Sequence, residues 1–132
     1  MQSAIRLINH ASVKFEFDDV KILTDPWYEG SVFHKGWKLI HQQTHEEILN
    51  SILDVTHIYI SHEHPDHFSP NFFLNKEISK ILINNNVKIL FQETKDKRVI
   101  KFLEKKGYTV IEVLNNKFFY INKDVKIKII KF

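Results

Sequence analysis

The stretch Thr56-His57-Ile58-Tyr59-Ile60-Ser61-His62-Glu63-His64-Pro65-Asp66-His67 decides how this chain is read, because an apolar run delivers four metal-ligand side chains within six residues. The run from Thr56 to Ile60 is short, β-branched and aromatic, the composition of a buried strand, and it presents His62 at its carboxyl end. Pro65 disfavours the α region for His64, which predicts an extended backbone through the middle of the motif. Alternate side chains of an extended segment share a face. That groups His62 with His64, sends Glu63 the other way and returns Asp66 to the first side, with His67 following as the loop turns. Ser69-Pro70 then reads as a helix start, with Ser at the N-cap and Pro at the first helical position.

Imidazoles and a carboxylate in this grouping are donors for a hard or borderline divalent metal. Two histidines two residues apart can take adjacent corners of a tetrahedron. Asp66 and His67 do not easily reach the same ion, so a second ion nearby is expected, and a pair of ions can activate a bridging water and stabilise charge on an attacked carbonyl or phosphoryl group. The bland alternative is a histidine-rich solvent loop; the strand before the motif and the helix after it weigh against that. The chain has no cysteine, so disulfides and thiolate sites are excluded and any metal must rest on His, Asp or Glu.

Upstream, Ile5, Leu7, Val13, Phe15 and Phe17 alternate with Arg6, Lys14, Glu16 and Asp18, the period of a half-buried antiparallel pair whose polar side faces out. Asp18-Asp19 turns the chain into a third strand over 21–24 that ends at Asp25-Pro26-Trp27, so the opening is a meander. Residues 28–43 form a long aromatic loop containing Phe33, His34 and Trp37, and loops of that length are often functional. Thr44 with Glu47 gives a capping box for a short helix bearing Ile48, Leu49, Ile52 and Leu53 on one face.

Downstream, the spacing predicts a helix over 70–83 stopped by Asn84-Asn85-Asn86, a strand over 87–91, a helix over 95–106 ended by Gly107, and a strand over 108–113. Asn115-Asn116 and Asn122-Lys123-Asp124 mark turns that join strands over 118–121 and 125–130. The predicted fold class is mixed α/β (α+β): antiparallel at both ends, with strand–helix alternation between.

At 132 residues the chain is at most one domain, large enough to bury one core. Hydrophobic residues make up 43% and charged residues 27%, values of an ordinary globular domain, so disorder is excluded. The formal charge of +3 is mild, and the lysines at alternate strand positions, Lys126, Lys128 and Lys131, read as a solvated outer face rather than a nucleic-acid surface. No apolar segment approaches membrane-spanning length and no signal peptide is visible, which makes the cytoplasm the default expectation.

The HEHPDH string at 62–67 resembles that of the metallo-β-lactamase-fold hydrolases. Asn9-His10-Ala11-Ser12, Leu23-Thr24-Asp25-Pro26-Trp27, Gly30-Ser31-Val32-Phe33 and Ile60-Ser61-His62 resemble the branch that contains L-ascorbate-6-phosphate lactonase-like proteins, N-acyl-phosphatidylethanolamine phospholipase D and CMP-N-acetylneuraminate hydroxylase. The resemblance covers about residues 4–75. It implies an αββα sandwich with metals at one edge, His62 and His64 on a first ion and Asp66 and His67 on a second. It also implies that Asp25 stands behind the ligands and orients their imidazoles, with His10 near the site mouth.

The implied activity is hydrolysis of an ester, lactone or phosphoester by metal-activated hydroxide, with Asp66 as the catalytic carboxylate and a small-molecule substrate. Zinc is the expected metal, two ions in a complete site, and manganese or iron suit the same donors. Trp27, His34 and Trp37 are candidate substrate contacts, although core packing serves the tryptophans equally and a loop histidine commonly does nothing. Members of the family draw further His and Asp ligands from later segments, whereas this chain has no histidine after His67. The expectation is therefore an amino-terminal half: one domain over 1–132, incomplete at its carboxyl end, with an exposed sheet face and a homo-oligomer or a completing chain as partner. Alternatives are a catalytically incomplete metal-binding or assembly module, and a part of a nucleotide-sugar hydroxylase-like protein whose iron–sulfur cluster would lie elsewhere.

Overall fold

The computed structural model describes residues 2–131. Met1 and Phe132 lie outside them. A six-stranded sheet has the order β1-β2-β3-β6-β7-β8. Its first three strands, β1 (Ser3–Asn9), β2 (Ser12–Phe17) and β3 (Val20–Thr24), form the expected antiparallel meander. Next to β3 lie β6 (His57–Ile60), β7 (Lys88–Gln92) and β8 (Thr109–Val113), all parallel. Parallel strands are covered on both faces, which explains why Ile58-Tyr59-Ile60 and Ile89-Leu90-Phe91 are continuous apolar runs.

Four helices cover one face of the sheet. They are α1 (His45–Ile52), α2 (Pro70–Leu74), α3 (Lys76–Asn84) and α4 (Arg98–Lys105). Ile48 and Ile52, Phe72 and Phe73, Ile78 and Leu82, and Ile100 and Leu103 meet Leu23, Ile58, Ile60, Ile89 and Phe91 in one buried cluster. Each fully buried aliphatic side chain in it contributes roughly 1.5–3 kcal/mol. The α1 start is as the sequence foretells, with the Thr44 hydroxyl accepting from Glu47 N–H and the Glu47 carboxylate reaching back to Thr44 N–H.

The single helix expected over 70–83 is two. Asn75 is extended and its side-chain oxygen accepts from the N–H groups of Glu77 and Ile78, so it ends α2 and caps α3. An asparagine that offers the backbone local hydrogen bonds competes with helix propagation, and here that competition wins. The next helix also begins later than expected, at Arg98, because the Asp96 carboxylate accepts from Arg98 N–H.

On the other face lies a hairpin of β9 (Phe118–Tyr120) and β10 (Lys126–Lys128), a separate two-stranded sheet. Val125 packs with Val20 and Ile22, and Ile129 with Leu90 and Val113. The lysines of its outer face are not simply solvated: Lys126 Nζ sits 4.4 Å from the centre of the Phe118 ring. The architecture is thus helices, a mixed sheet and a two-stranded second sheet, a mixed α/β arrangement consistent with the metallo-β-lactamase fold.

Two details of the meander reverse expectation. Ile5 and Leu7 are 71% and 75% exposed because β1 is the sheet edge and the hairpin cover reaches only as far as Phe15 and Phe17. Lys14, expected outside, is buried under α1, where its ammonium donates to Ser51 O and pairs with Asp54. Between the sheet and the hairpin runs a groove of about 550 Å³ lined by Phe15, Ile22, Tyr59, Val125 and Ile127. Residues 28–43 are not only a loop: β4 (Ser31–Val32) pairs with β5 (Trp37–Lys38) around Phe33, His34 and Lys35, all at positive φ.

Candidate metal centre

Topology brings the motif residues to one sheet edge. β3 and β6 run parallel, so Asp25 and Ser61 emerge side by side at their carboxyl ends. β2 runs antiparallel to β3, and the β1–β2 turn carrying His10 therefore lies at the same edge. The Thr24 hydroxyl fastens that turn by donating to Ala11 O and accepting from Val13 N–H.

The motif itself folds differently from the extended path expected for it. The His64 carbonyl accepts from both His67 N–H (2.9 Å) and Phe68 N–H (2.8 Å), a tight turn that swings Asp66 and His67 back toward His62. Ring centres of His62 and His64 are 4.6 Å apart, and those of His62 and His67 are 4.1 Å apart. His67 Nε2 lies 3.3 Å from Asp66 Oδ2.

Asp25, 6% exposed, is the hub behind this cluster. Its carboxylate accepts from Ser61 N–H at 2.7 Å, from the Ser61 hydroxyl at 2.6 Å and from His67 Nδ1–H at 2.8 Å. The Ser61 hydroxyl has one proton and gives it to Asp25, so toward His62 Nδ1, 2.8 Å away, its oxygen acts as acceptor. By this donor accounting both His62 and His67 carry their proton on Nδ1 and leave Nε2 free for a metal, the tautomer that supporting partners impose on metal-binding imidazoles. Asp25 holds this post at a φ of 35°, a strained value for a residue with a side chain.

Electrostatics favour the same forms. Burial, joined by the charges of His67 and His64, pushes the His62 imidazole below its usual range and toward the neutral state that binds metal. Burial would raise the Asp66 carboxyl, but the hydrogen bond from His10 and the charge of His67 outweigh it and keep the group below the ordinary carboxylate range.

The remaining sequence candidates fall in different places. His10 Nε2 is 3.1 Å from Asp66 Oδ2, in direct contact with the cluster. Trp27 is 2% exposed and lies edge-on to His10 at 5.1 Å, with its Nε1–H donating to Glu29 O. Trp37 is half exposed, 6.3 Å from the His10 ring. His34 is exposed on the β4–β5 turn. His41 gives its backbone carbonyl to Asn9 and its ring lies 4.0 Å from the Glu47 carboxylate, while His45 pairs with Glu77 across α1 and α3 and His57 bonds Thr56. Ser61 escaped sequence reasoning, although its position between the strand and His62 was a signal. The apolar groove on the hairpin side contains none of the clustered histidines, so that groove and the chemistry are separate.

The model of the family described as "Beta-lactamase superfamily domain" matches residues 4–128. Among curated relatives, the cytidine monophosphate-N-acetylneuraminic acid hydroxylase of Asterias rubens is 30% identical over 129 residues, 95% of this chain and 19% of that protein. The enzyme of the same name from Danio rerio is 32% identical over 62 residues, 47% of this chain and 10% of that protein. The chain thus spans a fifth or less of the length of these relatives. Solved structures of similar fold include CmlA, a diiron β-hydroxylase from Streptomyces venezuelae, with a TM-score of 0.61 and 17% identity over 90% of this chain and 22% of that one. Another is Igni18, a metallo hydrolase from Ignicoccus hospitalis, with a TM-score of 0.57 and 18% identity over 90% of this chain and 42% of that one.

Proposed function

Because the chain belongs to the β-lactamase superfamily, in its metallo-β-lactamase fold, whose members bind divalent metal, we propose that it is the ligand-bearing part of a metal-dependent hydrolase acting on an ester, lactone or phosphoester. One observation carries the reading. The Asp25–Ser61 network turns the Nε2 atoms of His62 and His67 free, beside a buried carboxylate that stays ionised. This donor set of imidazole and carboxylate fits zinc, manganese or ferrous iron. Zinc is our choice, held by His62 and His64 at one position and by Asp66 and His67 at the other. A bound ion of this class supplies a hydroxide at neutral pH by lowering the pKa of its water. The chain's own part is to hold the imidazoles in one tautomer through Asp25 and Ser61, and to keep Asp66 as an acceptor for the water proton. Trp37, exposed beside the cluster, is the side chain best disposed to meet a small-molecule substrate.

We read the exposed Ile5 and Leu7 and the groove under the hairpin as the surface on which the rest of an αββα sandwich packs, from further chain or from a partner. Metal analysis of the purified chain tests the core of the proposal. About two equivalents of transition metal are expected, falling toward one on His62→Ala and His64→Ala; less than about half an equivalent, unchanged by either substitution, refutes the reading. A second reading, an iron-binding part of a hydroxylase, is favoured by the hydroxylase relative that aligns over 95% of this chain. Preference for iron over zinc in competition, with no hydrolysis of ester, lactone or phosphodiester probes, would select it.

A further inference from the structure

The β1–β2 turn spends backbone strain on a histidine. His10 sits at a φ of 44°, the left-handed region that suits glycine and strains a residue with an ordinary side chain. The turn is nevertheless anchored tightly: buried Asn9 donates to His41 O and Gln43 Oε1, and Thr24 clasps Ala11 and Val13. Edge-on contacts with Trp27 at 5.1 Å and Trp37 at 6.3 Å fix the imidazole plane. The result is that Nε2 of His10 points at Asp66 Oδ2, 3.1 Å away.

Among the described residues, His10, Asp66 and His67 are the set of three whose ligand atoms all lie within 4.8 Å of one another. Ligand atoms at about 2.0–2.1 Å from a tetrahedral ion are separated by about 3.3 Å. The distances from Asp66 Oδ2 are 3.1 Å to His10 Nε2 and 3.3 Å to His67 Nε2. Among the described residues, no such set of three includes His62 or His64.

Resting on the metal-centre reading above, we propose that His10 is a direct metal ligand, closing with Asp66 and His67 a three-ligand position that takes the chain's first equivalent of metal. The position mixes two imidazoles and one carboxylate and leaves a corner open for water, the pattern of catalytic rather than structural zinc.

The test uses the whole chain with His62→Ala and His64→Ala, which leaves the three-ligand corner alone, and zinc or cobalt(II) as the probe. This background retains one equivalent of metal, and X-ray absorption counts two imidazoles on it. Adding His10→Asn, which keeps a polar side chain suited to positive φ but too short to reach the ion, lowers affinity by more than the about 10–100-fold that loss of a supporting partner costs, and the imidazole count drops to one. Circular dichroism confirms that the fold is retained; His10→Gln serves in its place if it is not. An unchanged imidazole count, or a loss within 100-fold, overturns the proposal and makes His10 a hydrogen-bond support for Asp66. Metal uptake by the unsubstituted chain with no dependence on His10 overturns this inference alone, whereas no uptake at all overturns the hydrolase reading with it.

Discussion

Asp25→Asn isolates what the buried carboxylate does, because it keeps shape and removes charge. Asp25 accepts three hydrogen bonds, one on Oδ1 from Ser61 N–H and two on Oδ2 from the Ser61 hydroxyl and His67 Nδ1–H. An asparagine has one acceptor oxygen. In its cheaper orientation the oxygen stays with the hydroxyl and the imidazole, and the amide NH2 confronts Ser61 N–H, orphaning one donor. Loss of one charge-assisted bond at a site 6% exposed costs about 2–3 kcal/mol. With a urea dependence of about 1.5 kcal/mol per molar, the unfolding midpoint of the metal-free chain falls by about 1–2 M. The weakened hold on the His62 and His67 tautomers reduces metal affinity a further 10–100-fold, about 1.4–2.8 kcal/mol. Urea denaturation in chelator and competition with a chromophoric chelator read the two effects separately. A variant with the parent's metal affinity refutes the tautomer argument, even if its stability falls.

Asn75→Ala removes the cap that splits 70–84 into two helices, and is expected to cost about 0.5–2 kcal/mol by urea denaturation, with little change in metal uptake because the cap lies away from the cluster. Tyr108→Phe probes a buried phenol that donates to Phe73 O at 2.7 Å and whose pKa burial pushes up to about 12. The phenol stays protonated in the fold while the unfolded chain loses that proton near pH 10, so the contribution of Tyr108 is full below pH 10 and is lost as pH rises toward 12. The stability gap between parent and Tyr108→Phe should therefore shrink across that window in urea melts at stepped pH; a constant gap would contradict it.

Much of the fold was legible because strand and helix periods report local burial. The capping box at Thr44, the apolar run before the motif and the asparagine-marked turns each depend on residues within a few positions of one another, and each is where the sequence places it. Legibility failed where a distant partner sets the outcome. Lys14 reads as solvent-facing until α1 brings Asp54 and the Ser51 carbonyl over it, from residues some 40 positions away. Ile5 and Leu7 read as buried because alternation reveals which side chains share a face but not whether anything covers that face.

The site divides along the same line. Donor chemistry is a property of residue type, so His62, His64, Asp66 and His67 stand out from the sequence alone. Their arrangement is not: the turn closed on the His64 carbonyl, rather than the alternation that Pro65 suggests, returns Asp66 and His67 to His62. The proton positions are less visible still, since they follow from a hydroxyl, Ser61, that gains meaning only when β3 and β6 set Asp25 beside it. His10 and Asp25 share one further feature hidden from residue type, a left-handed backbone at a residue with a full side chain. Strain of that kind persists only where surrounding structure over-determines it. At both positions the surroundings consist of bonds to the cluster itself and clasps at the strand ends, so the sheet edge spends stability to aim a carboxylate and an imidazole at the place where the candidate ligands converge.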